Sequence, residues 1–260
     1  MMDQYSLYLR SVELRREEVP SFDAYPFSLP AVRSLDRLNF RSPVTFIVGE
    51  NGTGKSTLLE GIAAAWGFNP EGGTRNFTFE TSASHSQLYR YFRLARGVKR
   101  PKDGFFLRAE SYYNVASYID ELDREQEPGY PPRPPLKASY GGKSLHEQSH
   151  GESFFAAFLH RFGGNGFYMM DEPESALSPL RQMSLLVRLH ELVRSDSQFI
   201  IATHSPILMA YPGAEILQLE DGDLRPVKLE DTDHYIVTRS FMNDREKMLR
   251  ELLGGEEQQP

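Results

Sequence analysis

The chain has no cysteine, which removes disulfide bridges, thiolate nucleophiles and cysteine-ligated zinc from consideration together. It also lacks any apolar run approaching membrane-spanning length, and Met1 to Arg16 carries Glu and Arg where a signal peptide needs an apolar core. The expectation is a cytoplasmic protein. Positive charge is in deficit: 29 Lys and Arg stand against 36 Asp and Glu, a net charge of −7, which argues against a generally basic nucleic-acid surface while leaving room for a local patch. What is present is an ordinary globular composition, 40% hydrophobic and 25% charged, in 260 residues. That is enough for one large α/β domain with a sizeable core.

The most informative stretch is 47–57, Ile-Val-Gly-Glu-Asn-Gly-Thr-Gly-Lys-Ser-Thr. Gly49, Gly54, Lys55 and Ser56 satisfy the spacing G-x-x-x-x-G-K-[ST] between a β-branched run, Val44 to Val48, and a segment from Ser56 to Trp66 that is apolar at helical spacing. Glycines let backbone N–H groups turn inward, and the helix that follows points its positive dipole end at the same place. The loop is built to hold a polyanion. Gly49, Asn51, Gly52, Thr53, Gly54, Lys55, Ser56 and Thr57 are therefore the candidate nucleotide-binding residues, with Lys55 directed at the β- and γ-phosphates and the Ser56 hydroxyl at Mg²⁺.

Upstream, Leu7 to Leu14 alternates like a strand, and Tyr25 and Phe27 sit among prolines where an adenine ring could stack. Downstream, Asn76 to Glu80, Leu88 to Leu94 and Gly104 to Glu110 read as strands, the last two joined through the hairpin-like Asp103-Gly104. Residues 74–110 are thus expected to form an antiparallel part. Arg90, Arg93, Arg96, Lys99, Arg100 and Lys102, interleaved with Tyr89, Tyr91 and Phe92, are the densest basic run and a candidate nucleic-acid contact. Tyr112 to Gln126 reads as helix, and 128–135 is a proline-rich extended loop, so residues 111–148 form a helical and proline-rich lobe. Ser149 opens a helix to Phe162. Phe167 to Met170 and Gln198 to Ala202 are buried strands, residues 215–229 a hairpin around Asp221-Gly222, and 233–253 a helix stopped at Gly254. Alternation of strand and helix predicts a single domain, 1–260, of α/β class with a mostly parallel sheet.

A phosphate loop by itself specifies only binding. The apolar strand ending at Asp171 supplies a carboxylate for the metal held by Ser56, and Glu172, one residue on, can orient or deprotonate the attacking water. With these residues in place the chain resembles the ATP-binding cassette superfamily, and within it the soluble branch containing SMC and double-strand-break-repair heads. The resemblance identifies 49–57 as Walker A, Ser149-His150-Gly151-Glu152 as a signature-like motif, 167–172 as Walker B with the catalytic glutamate, Ser175-Ala176-Leu177 as a D-loop, and Thr203-His204-Ser205 as the switch histidine. It implies that Glu172 and His204 are catalytic and that Ser56 and Asp171 hold Mg²⁺. A further metal contact is implied at the Q-loop, for which Glu110 and Gln87 are the two options, Glu110 being the better placed. It also implies that Ser149, Gly151 and Glu152 of one copy close on the ATP of another, giving a head-to-tail homodimer with two composite sites. Ser149 and Glu152 equally satisfy a helix-capping S-x-x-E pattern. A stand-alone ATPase acting on a protein partner, the nucleotide-binding subunit of a membrane transporter, and an ATP-gated nucleic-acid-binding module are the functions in competition.

Overall fold

Alternating and continuous apolar runs become nine strands among the described residues: β1 (Leu9–Leu14), β2 (Arg37–Asn39), β3 (Val44–Val48), β4 (Phe92–Arg96), β5 (Asp103–Arg108), β6 (Gly166–Asp171), β7 (Gln198–Ala202), β8 (Glu215–Glu220) and β9 (Asp223–Val227). The computed structural model describes residues 6–74, 87–112, 115, 117, 119, 123, 135, 138, 140, 150–220 and 222–254. The expected strand Asn76 to Glu80, Ser149 and most of the proline-rich stretch lie outside these. Described positions 112, 115, 117, 119 and 123 are helical.

The main sheet has the order β5-β6-β7-β3-β8-β9, parallel up to β8 with β9 antiparallel at the edge. Strands β3, β6 and β7 are buried at every position, as expected of a parallel sheet covered on both faces. The pleat then divides the core in two. Ile47, Met169, Ile200 and Ala202 meet Leu58 and Ile62 of the helix Lys55–Trp66, while Phe46, Val48, Tyr168, Met170, Phe199 and Ile201 meet Leu185, Leu189 and Leu192 of the helix Pro179–Arg194. A second, antiparallel sheet, β2-β1-β4, lies over the first face. Gln198 ties the two together: its Oε1 accepts from the backbone of Tyr8 and Leu9 at 2.8 and 2.9 Å, and its Nε2 donates to Leu9 O at 2.9 Å.

The expected antiparallel part is present as the sheet β2-β1-β4, but among the described residues of 74–110 only β4 belongs to it. The strands on either side of Asp103-Gly104 do not form a hairpin: β4 pairs with β1, and β5 joins the parallel sheet beside β6. Burial decides the matter. Phe105, Phe106 and Leu107 are 0%, 0% and 1% exposed, and at about 1.5–3 kcal/mol for each large apolar side chain their removal from water outweighs the turn preference of one Asp-Gly pair. The tail differs as well. It forms two helices, Asp233–Asn243 and Arg245–Leu253, because Asp244 leaves helical geometry and caps the second by accepting from Lys247 N.

Strand order sets the position of the functional residues. Strand β7 lies between β3 and β6, so the phosphate-loop strand and the acidic strand are two interstrand spacings apart, about 10 Å. The residues that leave β7, Thr203 and His204, therefore emerge between them at the same end of the sheet.

Candidate functional site

The loop after β3 reverses through Gly52 (φ 78°) and Gly54 (φ 95°), backbone conformations that side-chain-bearing residues avoid. Gly54 is fixed further by packing, since a Cβ there would sit 3.0 Å from Cβ of Leu29. Asn51 and Gly52 are exposed at the loop's outer side. Thr53 Oγ1 donates to Glu50 O at 2.8 Å, and its carbonyl accepts from Ala31 N at 3.0 Å. The helix starts at Lys55, so the N–H groups of its first turn, with Ser56 and Thr57, face the loop. Lys55 is buried, and its Nζ donates to Gly49 O and Glu50 O at 2.7 Å each. Burial pushes this amine below its usual range, opposed by the carboxylates of Glu172, Asp171, Glu50 and Glu174.

The fold brings Ser56 and Asp171 together. Ser56 Oγ donates to Asp171 Oδ1 at 3.0 Å across 115 residues of chain. Two hard oxygens at this spacing beside a phosphate loop fit Mg²⁺, which takes one or two protein oxygens and completes its shell with phosphate and water. No set of three or more His, Asp or Glu able to hold a metal by itself occurs among the described residues. On the other side of Asp171 lies a residue without a motif, Arg108 at the end of β5. Its Nε is 3.4 Å from Asp171 Oδ2, an ion pair without hydrogen-bond alignment, and its Nη atoms reach Glu60 (3.1 Å) and Glu110 (3.5 Å).

Burial raises the Asp171 carboxyl to about 6, against the opposing pull of Arg108 and the Ser56 hydrogen bond; Glu172 and Glu110 add to the rise. The folded protein thus holds this proton to higher pH than the unfolded chain, whose value lies near 3.8. Between those values the folded state binds more protons, so stability falls as pH rises toward 6 and does not return above it. Asp171→Asn is expected to stabilise the nucleotide-free protein on the order of 2 kcal/mol at pH 7 and to leave it unchanged below about pH 4. Urea unfolding at the two pH values checks this, and equal stability of both proteins at pH 7 would contradict it.

Glu172 follows in a left-handed conformation (φ 47°, ψ 52°), uncommon for a residue with a side chain. Its amide donates to Ala202 O at 3.0 Å, and its carbonyl accepts from Ser175 Oγ at 2.9 Å. The turn is thereby bound to the end of β7. Its carboxylate lies 3.8 Å from His204 Nε2. Glu174, which no motif reading singled out, is half-buried and holds the histidine loop: Oε2 accepts from Thr203 Oγ1 at 2.8 Å and Oε1 from His204 N at 2.5 Å. Burial raises its carboxyl, against those hydrogen bonds. Glu174→Ala is expected to cost about 1–3 kcal/mol of stability, because it strands the His204 amide. Denaturant unfolding measures that loss, and an unchanged midpoint would refute the role.

The remaining expected residues are distributed as follows. Gly151 is in the helix His150–Ala156, where a Cβ would lie 2.5 Å from Ala176 O, so only glycine permits this close approach to the Pro173–Ala176 turn. Glu152 is exposed and pairs with Arg181 at 3.4 Å. Ser149 is outside the described residues. Glu110, with a side chain 88% exposed, follows β5 directly and pairs with Arg108. Gln87 opens a turn before β4, on the antiparallel sheet, and accepts from Arg90.

The two adenine-stacking candidates part company. Phe27 is in the core, edge-on to Tyr91 at 4.9 Å, which removes it as a stacking surface; Tyr25 is 64% exposed. The basic run lies away from the nucleotide loop. Arg93 pairs with Glu13 and Lys99 with Asp196. Arg96, Arg100 and Lys102 line a cavity of about 350 Å³ with Trp66 and Phe68 where β5 begins, at the opposite end of the sheet from the loop.

The fold and this site define a P-loop NTPase domain. Two family models match the chain, one described as "AAA domain" over residues 26–125 and one described as "AAA domain, putative AbiEii toxin, Type IV TA system" over residues 88–210. By these matches the chain is similar to P-loop domains of the AAA/ABC kind. It is 27% identical over 216 residues to the energy-coupling factor transporter ATP-binding protein EcfA2 of Methanospirillum hungatei, a match covering 76% of this chain and 51% of that protein, so the chain spans about half the relative's length. Among solved structures it is similar to the SMC head domain from Thermotoga maritima (16% identity, 85% of this chain, 99% of that one, TM-score 0.43). It is also similar to cbiO1 from Clostridium perfringens, part of the ABC transporter complex cbiONQ (16% identity, 98% and 100%, TM-score 0.48).

Proposed function

We propose that this chain hydrolyses ATP as a pair of copies closed around two nucleotides, using the closed and open forms to drive or switch a partner. The observation that carries the reading is the 3.0 Å Ser56–Asp171 pair, with Glu172 and His204 next to it at the end of the same sheet. In this reading Gly49 to Thr57 wrap the phosphates, and Lys55 leaves the Gly49 and Glu50 carbonyls to meet the β- and γ-phosphates. Ser56 and Asp171 would hold Mg²⁺, with Glu110 a further ligand once its carboxylate leaves Arg108. The ion would offset charge on the terminal phosphate.

The chain's own residues supply the remainder. Glu172, held by its left-handed turn, orients the attacking water and accepts its proton, and His204 donates to the terminal phosphate. Ser149, Gly151 and Glu152 of the second copy complete the site from the far side. Sizing of the Glu172→Gln protein with and without Mg-ATP tests the reading; a monomer in both conditions removes the composite site.

A second reading, the nucleotide-binding subunit of a membrane transporter, is favoured by the match to a transporter ATP-binding protein. No helix among the described residues is long and apolar enough to cross a membrane, so a permease would have to be a separate chain or segment. Co-purification with such a permease distinguishes the two.

A further inference from the structure

His204 does not stand alone. Its Nδ1 is 2.7 Å from Nε2 of His234, on the helix Asp233–Asn243, with ring centroids 4.8 Å apart. That helix is downstream of every motif and follows the β8–β9 hairpin. Its start is fixed by Thr232, which is fully buried, accepts from Tyr235 N and donates to Leu229 O. His234 is therefore presented from a capped first turn. On the other side of the His204 ring, Nε2 is buried, has no hydrogen-bond partner among the described residues, and faces Glu172 at 3.8 Å.

A hydrogen bond between two imidazoles at this distance needs one N–H and one lone pair. Two imidazolium rings at 2.7 Å would set donor against donor and charge against charge. The surroundings favour the uncharged His204 ring: burial, the Lys55 ammonium and His234 hold it below its ordinary range, against the carboxylates of Glu172 and Glu50. Glu174 binds the His204 backbone and Thr203. Two neutral arrangements remain. If Nδ1 carries the proton, Nε2 turns a lone pair toward the Glu172 carboxylate, which is repulsive. If His234 Nε2–H donates to Nδ1, then His204 Nε2 carries its proton toward Glu172 and the phosphate loop.

We propose that His234 is a positioning residue that fixes His204 as the Nε2–H tautomer, so that the C-terminal helix pair, and not only the nucleotide-binding core, prepares the switch histidine. The assignment deepens the ATPase reading and rests on it for its consequence in catalysis, but the tautomer itself belongs to the nucleotide-free protein. A conformational change that withdrew the 233–243 helix would release the ring and slow hydrolysis without touching the phosphate loop.

The test uses the full chain with ¹⁵N-labelled histidine, without nucleotide, at neutral pH. In the unsubstituted protein the His204 signals should show Nδ1 unprotonated and Nε2 protonated. In His234→Ala they should move toward the averaged pattern of a free imidazole. In His234→Gln, whose amide N–H can replace the donor, they should largely return. In parallel, kcat for Mg-ATP should fall on the order of tenfold in His234→Ala, with KM within about twofold, and recover in His234→Gln. A His204 spectrum unchanged in His234→Ala, or an Nδ1-protonated His204 in the unsubstituted protein, overturns the proposal. Helical circular dichroism retained in the alanine variant assigns the change to the donor and not to loss of the helix, and a spectral change that glutamine fails to reverse while the helix persists also counts against it. If the spectra behave as expected but no copy hydrolyses ATP, the ATPase reading has failed and the histidine pair stands.

Discussion

Glu172→Gln should reduce ATP turnover by about a hundred- to ten-thousandfold while leaving nucleotide affinity within a few fold, and in Mg-ATP it should convert a monomer into a dimer. The size of the kinetic effect follows from the loss of a general base: glutamine matches the shape of the carboxylate but takes no proton from water. Affinity is spared if, as proposed, the phosphate contacts come from Gly49 to Thr57, because β7 separates the strand that carries this loop from the one that ends at the Glu172 turn. The backbone bonds that place residue 172, to Ala202 O and from Ser175 Oγ, do not involve its side chain and survive the change. Dimer accumulation has a thermodynamic cause. If closure is driven by ATP bound between two copies, blocking hydrolysis removes the step that reopens it, and mass action then holds the pair together. Light scattering coupled to size exclusion reads the mass directly, and phosphate release reads the rate. Turnover equal to that of the unsubstituted protein would remove Glu172 from catalysis. A catalytically dead protein that stays monomeric would keep Glu172 and sink the composite site.

The second large effect is at Lys55. Lys55→Ala should weaken ATP binding by at least about a hundredfold, because a charge-assisted hydrogen bond to phosphate contributes some 1.5–3 kcal/mol and this amine is placed to make more than one. Stability should respond little, because two effects of opposite sign meet at this side chain. Burial disfavours the charged amine in the folded protein, so removing it relieves a cost and loses only the two bonds to the Gly49 and Glu50 carbonyls. The melting temperature without nucleotide should stay within about 2–4 °C of the unsubstituted protein, whereas the rise on adding Mg-ATP should vanish. Calorimetric titration and thermal melts, with and without nucleotide, measure both. An alanine variant that still binds ATP at full affinity would mean that this loop is not the phosphate site.

These two predictions draw on residues that could be named without coordinates, since Lys55 belongs to a motif with fixed internal spacing and Glu172 to an Asp-Glu pair at the end of an apolar strand. Local backbone geometry carries that information: glycines at positive φ, a helix start, and a strand long enough to be buried. Glu174 left a weaker trace, a second carboxylate two residues on in Asp-Glu-Pro-Glu, but which donors it meets depends on β7 arriving beside it. Arg108 and His234 left none. An arginine at the end of one strand among several, and a histidine 30 residues beyond His204, acquire a role only when strands and helices are assembled.

The sequence alone determined the phosphate loop, the acidic pair, the histidine after a buried strand and the α/β character, because each is set by interactions within about ten residues of chain. Tertiary structure decided the rest: that β5 leaves the expected hairpin for the parallel sheet, that β7 separates the loop strand from the acidic strand, that Phe27 is core, and that Arg108, Glu174 and His234 surround the site. Those outcomes depend on which apolar faces bury one another over long separations, and local spacing does not encode such contacts.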